Sequence, residues 1–171
     1  VGHRHPRVLE AVKRQLDLFL HYSLTDFAYS VAADLGEELA RITPGSFDKK
    51  VFFANSGAEA VEAGLKVARG HWGGKRQYFL AFSGSFHGRT YGAMSLTASK
   101  PVQRRGFGPL LPGVVHVPYP YCYRCPFKQE YPDCDLWCVD FIDEYYFKKS
   151  VPPEETAAIV FEPIQGDGGY I

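Results

Sequence analysis

The stretch Val51–Leu65, VFFANSGAEAVEAGL, changes period in its middle. Its first four residues form an apolar run of strand length, Asn55-Ser56-Gly57-Ala58 interrupts them, and Val61, Leu65, Ala68 and Trp72 then recur at helical spacing. A strand feeding a helix through such a hinge is the building unit of an α/β fold. In an open parallel sheet the hinge lies beyond the carboxyl end of its strand, where the first helical amides lack partners and the helix dipole is positive. Gly57 lets the backbone approach an anion closely and Ser56 offers a hydroxyl, so the hinge reads either as a plain capped turn or as a phosphate seat.

The rest of the chain follows the same alternation. Strand-length runs at Val51–Ala54, Tyr78–Phe82, Val114–Val117 and Ala157–Glu162 alternate with helical patterns at Ala58–Trp72 and Leu136–Lys148, which predicts a mainly parallel sheet with flanking helices. Upstream, Val8, Val12, Leu16 and Phe19 predict an amphipathic helix over Pro6–Leu20, with Pro6 suited to its first turn. Val31, Leu35, Leu39 and Ile42 predict a second helix that stops at Thr43-Pro44-Gly45. Gly84–Lys100 and Pro118–Cys138 are long and irregular, which marks a functional loop or an insertion.

At 171 residues and 46% hydrophobic content the chain can bury a core as one domain-sized unit. Its 19 basic and 19 acidic side chains cancel, so no global field favours nucleic acid or an anionic membrane. No run approaches the roughly 18 apolar residues of a membrane span and no signal-peptide pattern opens the chain, so the expectation is a cytoplasmic protein. Position 1 is not Met, and the chain stops at Gly168-Gly169-Tyr170-Ile171 straight after a strand-like run. It therefore reads as an excerpt of a longer protein.

Two further segments carry chemistry. In Gly84–Thr90, GSFHGRT, Phe86 could cover a planar ring and Arg89 could grip a carboxylate, with His87 between them; the alternative is a core aromatic and a surface ion pair. In FEPIQGDGG, Glu162 and Asp167 stand five residues apart across a Pro/Gly-rich turn, a spacing that fixes no dyad and is equally that of solvated loop acids.

Taken together and in order, NSGAEAVEAGLKVAR, GSFHGRTYGAMSLT and IVFEPIQGDGGY resemble the class III (ω-amino acid) aminotransferases, pyridoxal-phosphate enzymes of fold type I. GHRHPRVLEAVKRQ is similar to the family's early helix, and HYSLTDFAYSVAADLGEELARITPG is closer to the 4-aminobutyrate aminotransferase branch than to the acetylornithine branch. The resemblance implies the N-terminal half of a fold type I large domain over residues 25–171, preceded over 1–24 by a helix and connector, with a Cys-rich insertion at about 118–138. It implies a phosphate held by Ser56, Gly57 and Ala58, a ring covered by Phe86 beside His87, a substrate carboxylate held by Arg89, and pocket acids at Glu162 and Asp167. The implied substrates are an ω-amino acid, such as 4-aminobutyrate, and a 2-oxo acid, and the implied assembly is a homodimer or higher homo-oligomer with no nucleic-acid or membrane partner.

The family's Schiff-base lysine and the aspartate facing the pyridine nitrogen lie downstream of the EPIQG motif, and none of Lys66, Lys75, Lys100 and Lys128 stands in that lysine's context. The chain alone is thus expected to be inactive, without a catalytic residue of its own, and poorly soluble or self-associating. An amino-acid racemase on the same scaffold and a non-catalytic truncated paralogue are the competing readings.

Cys122, Cys125, Cys134 and Cys138, the only cysteines, form C-x2-C-x8-C-x3-C within the insertion. Four thiolates at this spacing suit a tetrahedral structural zinc, while disulfides or free thiols remain open.

Overall fold

The computed structural model describes residues 2–171 and divides into two compact units, one ending at Phe52 and the other running from Phe53 to Ile171. In the first unit, helix α1 (Pro6–Leu16) is opened by Pro6, whose missing N–H is no loss in a first turn. It ends four residues earlier than the apolar pattern predicts, because the Leu18 and Phe19 amides both turn back to the Gln15 carbonyl. Helix α2 (Ser30–Ile42) matches its predicted stop, where the Thr43 hydroxyl donates to the Leu39 carbonyl at 2.6 Å. Neither helix buries a side chain, and the stripe Val8, Val12 and Leu16 is exposed.

The second unit is built on a three-stranded parallel sheet of β1 (Tyr78–Phe82), β2 (Val114–Val117) and β3 (Thr156–Val160), in the order β2-β1-β3. Central position explains the unbroken apolar sequence of β1: a strand covered on both faces has no polar side, and Phe79, Leu80 and Ala81 are wholly buried. Helix α3 (Gly57–His71) covers one face, where Leu65 packs with Phe79, Ala81 and Leu96. Its C-terminal end is tied to β3 by the Trp72 indole N–H, which donates to the Ala157 carbonyl at 3.1 Å. The other face carries Leu80, Phe82, Val117 and Val151 under Ile142, Tyr146 and Phe147. Burying each such side chain contributes about 1.5–3 kcal/mol.

Three expectations are corrected. Val51–Ala54 is not a strand; Phe52 is 76% exposed, and an apolar run becomes a strand only when a ladder partner takes its N–H and C=O groups. The helix expected over Leu136–Lys148 begins at Trp137, since Asp135 and Leu136 hold positive φ. This helix, α5 (Trp137–Phe141), then widens into a π-helical turn over Ile142–Phe147. The wider turn lets the Phe141 ring meet both Tyr145, stacked at 4.9 Å, and Tyr146, edge-on at 5.7 Å. Finally, the supposedly irregular Gly84–Lys100 contains a short helix, α4 (Tyr91–Leu96), which is buried from Gly92 through Leu96.

Candidate functional site

The three singled-out motifs meet in the second unit, at the carboxyl edge of the sheet. At the start of α3, Ser56 is the N-cap: its hydroxyl accepts the Glu59 N–H at 3.2 Å and its carbonyl accepts the Ala60 N–H at 3.0 Å. The amides of Gly57 and Ala58 are then the free donors of the helix start. A Cβ added to Gly57 would meet nothing within 4 Å, so the backbone beside these donors is open.

The loop leaving β1 packs directly against Ala58. Gly88 has φ +130°, and a Cβ there would lie 2.8 Å from Ala58 Cβ and 2.9 Å from Ala93 Cβ. Only glycine permits this approach. One turn into α3, on the same side as Ala58, the Glu62 carboxylate accepts from the Thr90 hydroxyl at 2.6 Å, the Gly92 N–H at 2.9 Å and the Ala93 N–H at 3.1 Å. It thereby caps the buried Tyr91–Leu96 helix.

Glu162, just after β3, joins the third motif to the second. Its Oε1 accepts the Phe86 N–H at 2.7 Å and its Oε2 accepts the Gly166 N–H at 3.0 Å. Phe86 is half-buried, and the Arg89 guanidinium stands 6.0 Å from its ring centroid. Arg89 is exposed, with no carboxylate partner among the described residues.

The His87 amide donates to the Thr97 hydroxyl at 2.9 Å, while its ring Nε2 is buried with no hydrogen-bond partner. Burial pushes the His87 imidazole below its ordinary value, the Glu162 charge opposing the shift, so it is favoured neutral.

Asp167 sits apart from Glu162. It takes Lys100 Nζ at 2.9 Å and Gln103 Nε2 at 3.0 Å, and Ser99, Lys100 and Gln103 hold its carboxyl well below the usual carboxylate range. Lys100 and Asp167 line a cleft of about 450 Å³ that the insertion walls with Tyr121 and Arg124. The fourth group, Cys122, Cys125, Cys134 and Cys138, lies in that insertion as free thiols. Burial raises the Cys138 thiol, and the Cys134, Cys125 and Cys122 thiols add to the rise.

Glu62, Thr97 and Gln165 are missed by the sequence reading. Gln165 is buried and donates to the Ser83 carbonyl at 2.9 Å, and its Oε1 occupies the space where Gly84 lacks a side chain. The signal for Glu62 was its i, i+4 relation to Ala58, which puts it on the site side of the helix.

Open amides at a helix start, a half-buried aromatic and an unpaired guanidinium at one sheet edge suit a ligand with a phosphate, a flat ring and a carboxylate-bearing partner. The family model described as Aminotransferase class-III matches residues 1–171. The chain belongs to the class-III aminotransferases.

Among curated relatives, a probable 4-aminobutyrate aminotransferase of Bacillus subtilis is 42% identical over 171 residues, covering all of this chain and 38% of the relative. The isoleucine 2-epimerase of Lentilactobacillus buchneri is also 42% identical, over 174 residues and 37% of its length. The chain thus spans well under half the length of these relatives. A solved amine transaminase from an uncultivated Pseudomonas species, in its PLP-bound form, superposes with a TM-score of 0.87 at 28% identity, over all of this chain and 39% of the other. An (S)-enantioselective ω-transaminase from Thermomicrobium roseum gives 0.87 at 29% identity, over 100% and 38%. The α/β arrangement with a parallel sheet and flanking helices is therefore that of the pyridoxal-phosphate transaminases. No helix among the described residues is long and apolar enough to cross a membrane.

Proposed function

We propose that the whole protein is a pyridoxal-phosphate-dependent aminotransferase that moves the amino group of an ω-amino acid, such as 4-aminobutyrate, to a 2-oxo acid. The observation carrying this reading is the convergence of three motifs through Gly88 against Ala58 and Glu162 between Phe86 and Gly166.

The cofactor fits the residues present. Gly57 and Ala58 amides would hold its phosphate at the open helix start, with Ser56 fixing the cap, and Phe86 would lie on its ring. Bound there, pyridoxal phosphate supplies an electron sink for the carbon that bears the amine. Arg89, without a carboxylate partner among the described residues, would take the substrate's distant carboxylate as a bidentate partner and so orient the amine end. Neutral His87 would add no charge beside Phe86. Glu162 would set the height of Phe86 through the backbone, and Asp167, kept ionised, pairs with Lys100 at 2.9 Å. Because none of Lys66, Lys75, Lys100 and Lys128 stands in the context of the family's Schiff-base lysine, the chain by itself is proposed not to transaminate.

The epimerase relative, at the same 42% identity as the aminotransferase, favours a second reading, racemisation of an α-amino acid on the same scaffold. Full-length protein supplied with 4-aminobutyrate and 2-oxoglutarate should yield glutamate, and Arg89→Lys should raise KM for 4-aminobutyrate about tenfold while leaving an amine without a carboxylate unaffected. Inversion of L-isoleucine without any 2-oxo acid, and no glutamate, would instead establish the racemase reading.

A further inference from the structure

The insertion has little of what normally orders a chain. Across residues 118–138 no side chain is fully buried, and regular structure before α5 amounts to one 3-10 turn, Cys122–Arg124. Three non-glycine residues there hold positive φ: Lys128 at 57°, Asp135 at 46° and Leu136 at 55°. A segment this size with no core of its own generally needs a crosslink or a metal to define it.

All four cysteines line one small cavity of about 70 Å³, whose rim includes Tyr121, Tyr131, Leu136 and Val139, with Cys122 exposed and the other three half-buried. Two turns deliver them in pairs. Cys122 and Cys125 bracket the 3-10 turn, which the Lys128 amide extends by donating to the Cys125 carbonyl at 3.0 Å. The Cys134 carbonyl accepts the Trp137 amide at 2.9 Å, and that turn carries Cys138 into the start of α5. All four are free thiols. Among the described residues no three His, Cys, Asp or Glu side chains already stand in coordinating array. Because the four thiols share one cavity, however, rotamer changes about χ1 are the movement available to bring sulfurs onto a common centre.

We propose that Cys122, Cys125, Cys134 and Cys138 bind one Zn2+ ion as a structural staple of the insertion. Soft sulfur donors in two close-spaced pairs, around one apolar-rimmed space, are what a tetrahedral thiolate site requires. Binding releases the thiol protons to solvent and involves no electron transfer. The turn that bears Cys122 and Cys125 also carries Tyr121 and Arg124 into the wall of the cleft beside Lys100 and Asp167, so the ion fixes that wall.

The test is metal analysis of full-length protein purified without chelator, reconstituted with Zn2+ and gel-filtered. About one zinc per chain is expected, and Co2+ in its place should give intense near-ultraviolet thiolate-to-cobalt absorption. The double variant Cys125→Ser/Cys134→Ser should lose at least about nine-tenths of the bound zinc. Zinc below about 0.1 per chain in the wild-type protein, with four thiols reacting freely or any two joined as a disulfide, overturns the proposal; so does undiminished zinc in the folded double variant. The wild-type zinc content and cobalt spectrum decide the matter even if the variant does not fold.

Discussion

Residues 83–99 and 118–138 are both long connections between β-strands, and they are held by opposite means. In the first, Ser85, Gly88 and all of Gly92–Thr97 are buried, and the backbone is closed on itself: the Ala98 amide donates to the Ser85 carbonyl at 2.8 Å and the Gly84 amide to the Ala98 carbonyl at 3.1 Å. Carboxylates from two other elements, Glu62 and Glu162, take further amides. The second has no fully buried side chain and leans on exposed or half-buried aromatics, such as Phe127 against Phe141 at 5.0 Å. Length does not separate an ordered connection from a loose one; the destination of its backbone N–H and C=O groups does.

The largest expected effect comes from breaking the interlock of the first connection. Gly88→Ala places a Cβ 2.8 Å from Ala58 Cβ at φ +130°, combining a backbone conformation that disfavours L side chains with an overpacked contact. A loss of about 3 kcal/mol in urea unfolding is expected. Gly106→Ala, at φ +83° with nothing within 4 Å, supplies the strain without the clash and should cost about 1–2 kcal/mol. Equal losses at the two positions would refute the packing argument.

A smaller effect is expected at Glu162. Glu162→Gln keeps the shape but replaces one acceptor oxygen by NH2, so either the Phe86 or the Gly166 amide loses its partner. An unpaired, part-buried donor costs about 1–3 kcal/mol. Hydrogen exchange resolved by residue should show one of these two amides accelerating while amides in 118–138 stay unchanged.

The contrast also explains what was legible in the sequence. Tyr78–Phe82 and Val114–Val117 are strands at the residues their apolar runs predict, because burial in a parallel sheet leaves its mark on every residue of the strand. Ser56, Gly57 and Ala58 are legible as a helix start because an N-cap is a local device. The buried helix Tyr91–Leu96 is not legible: covered from Gly92 to Leu96, it has no polar face and hence no period, and its cap, Glu62, lies about thirty residues upstream. Val51–Ala54 misleads for the complementary reason, since hydrophobicity is a property of the residues but a ladder belongs to two segments.

Acid should distinguish the two connections more gently. His87 lies in the first connection, and His116 in β2 donates from Nε2 to the Leu96 carbonyl of the same region at 3.1 Å. Burial pushes both imidazoles below their ordinary 6.5. The unfolded chain therefore takes up protons that the folded one resists, so stability is full above pH 6.5 and declines as pH falls through that value toward the lowered folded ones. The other four histidines are exposed, and residues 118–138 contain none, so the acid-sensitive contribution belongs to the ordered connection and its neighbour strand. Urea midpoints measured from pH 7.5 to 5 should fall, and His87→Gln should flatten the fall by removing one of the two sites. An unchanged slope in that variant would mean the buried ring at position 87 does not resist protonation, and the tight packing of residues 83–99 around it would no longer account for the acid sensitivity.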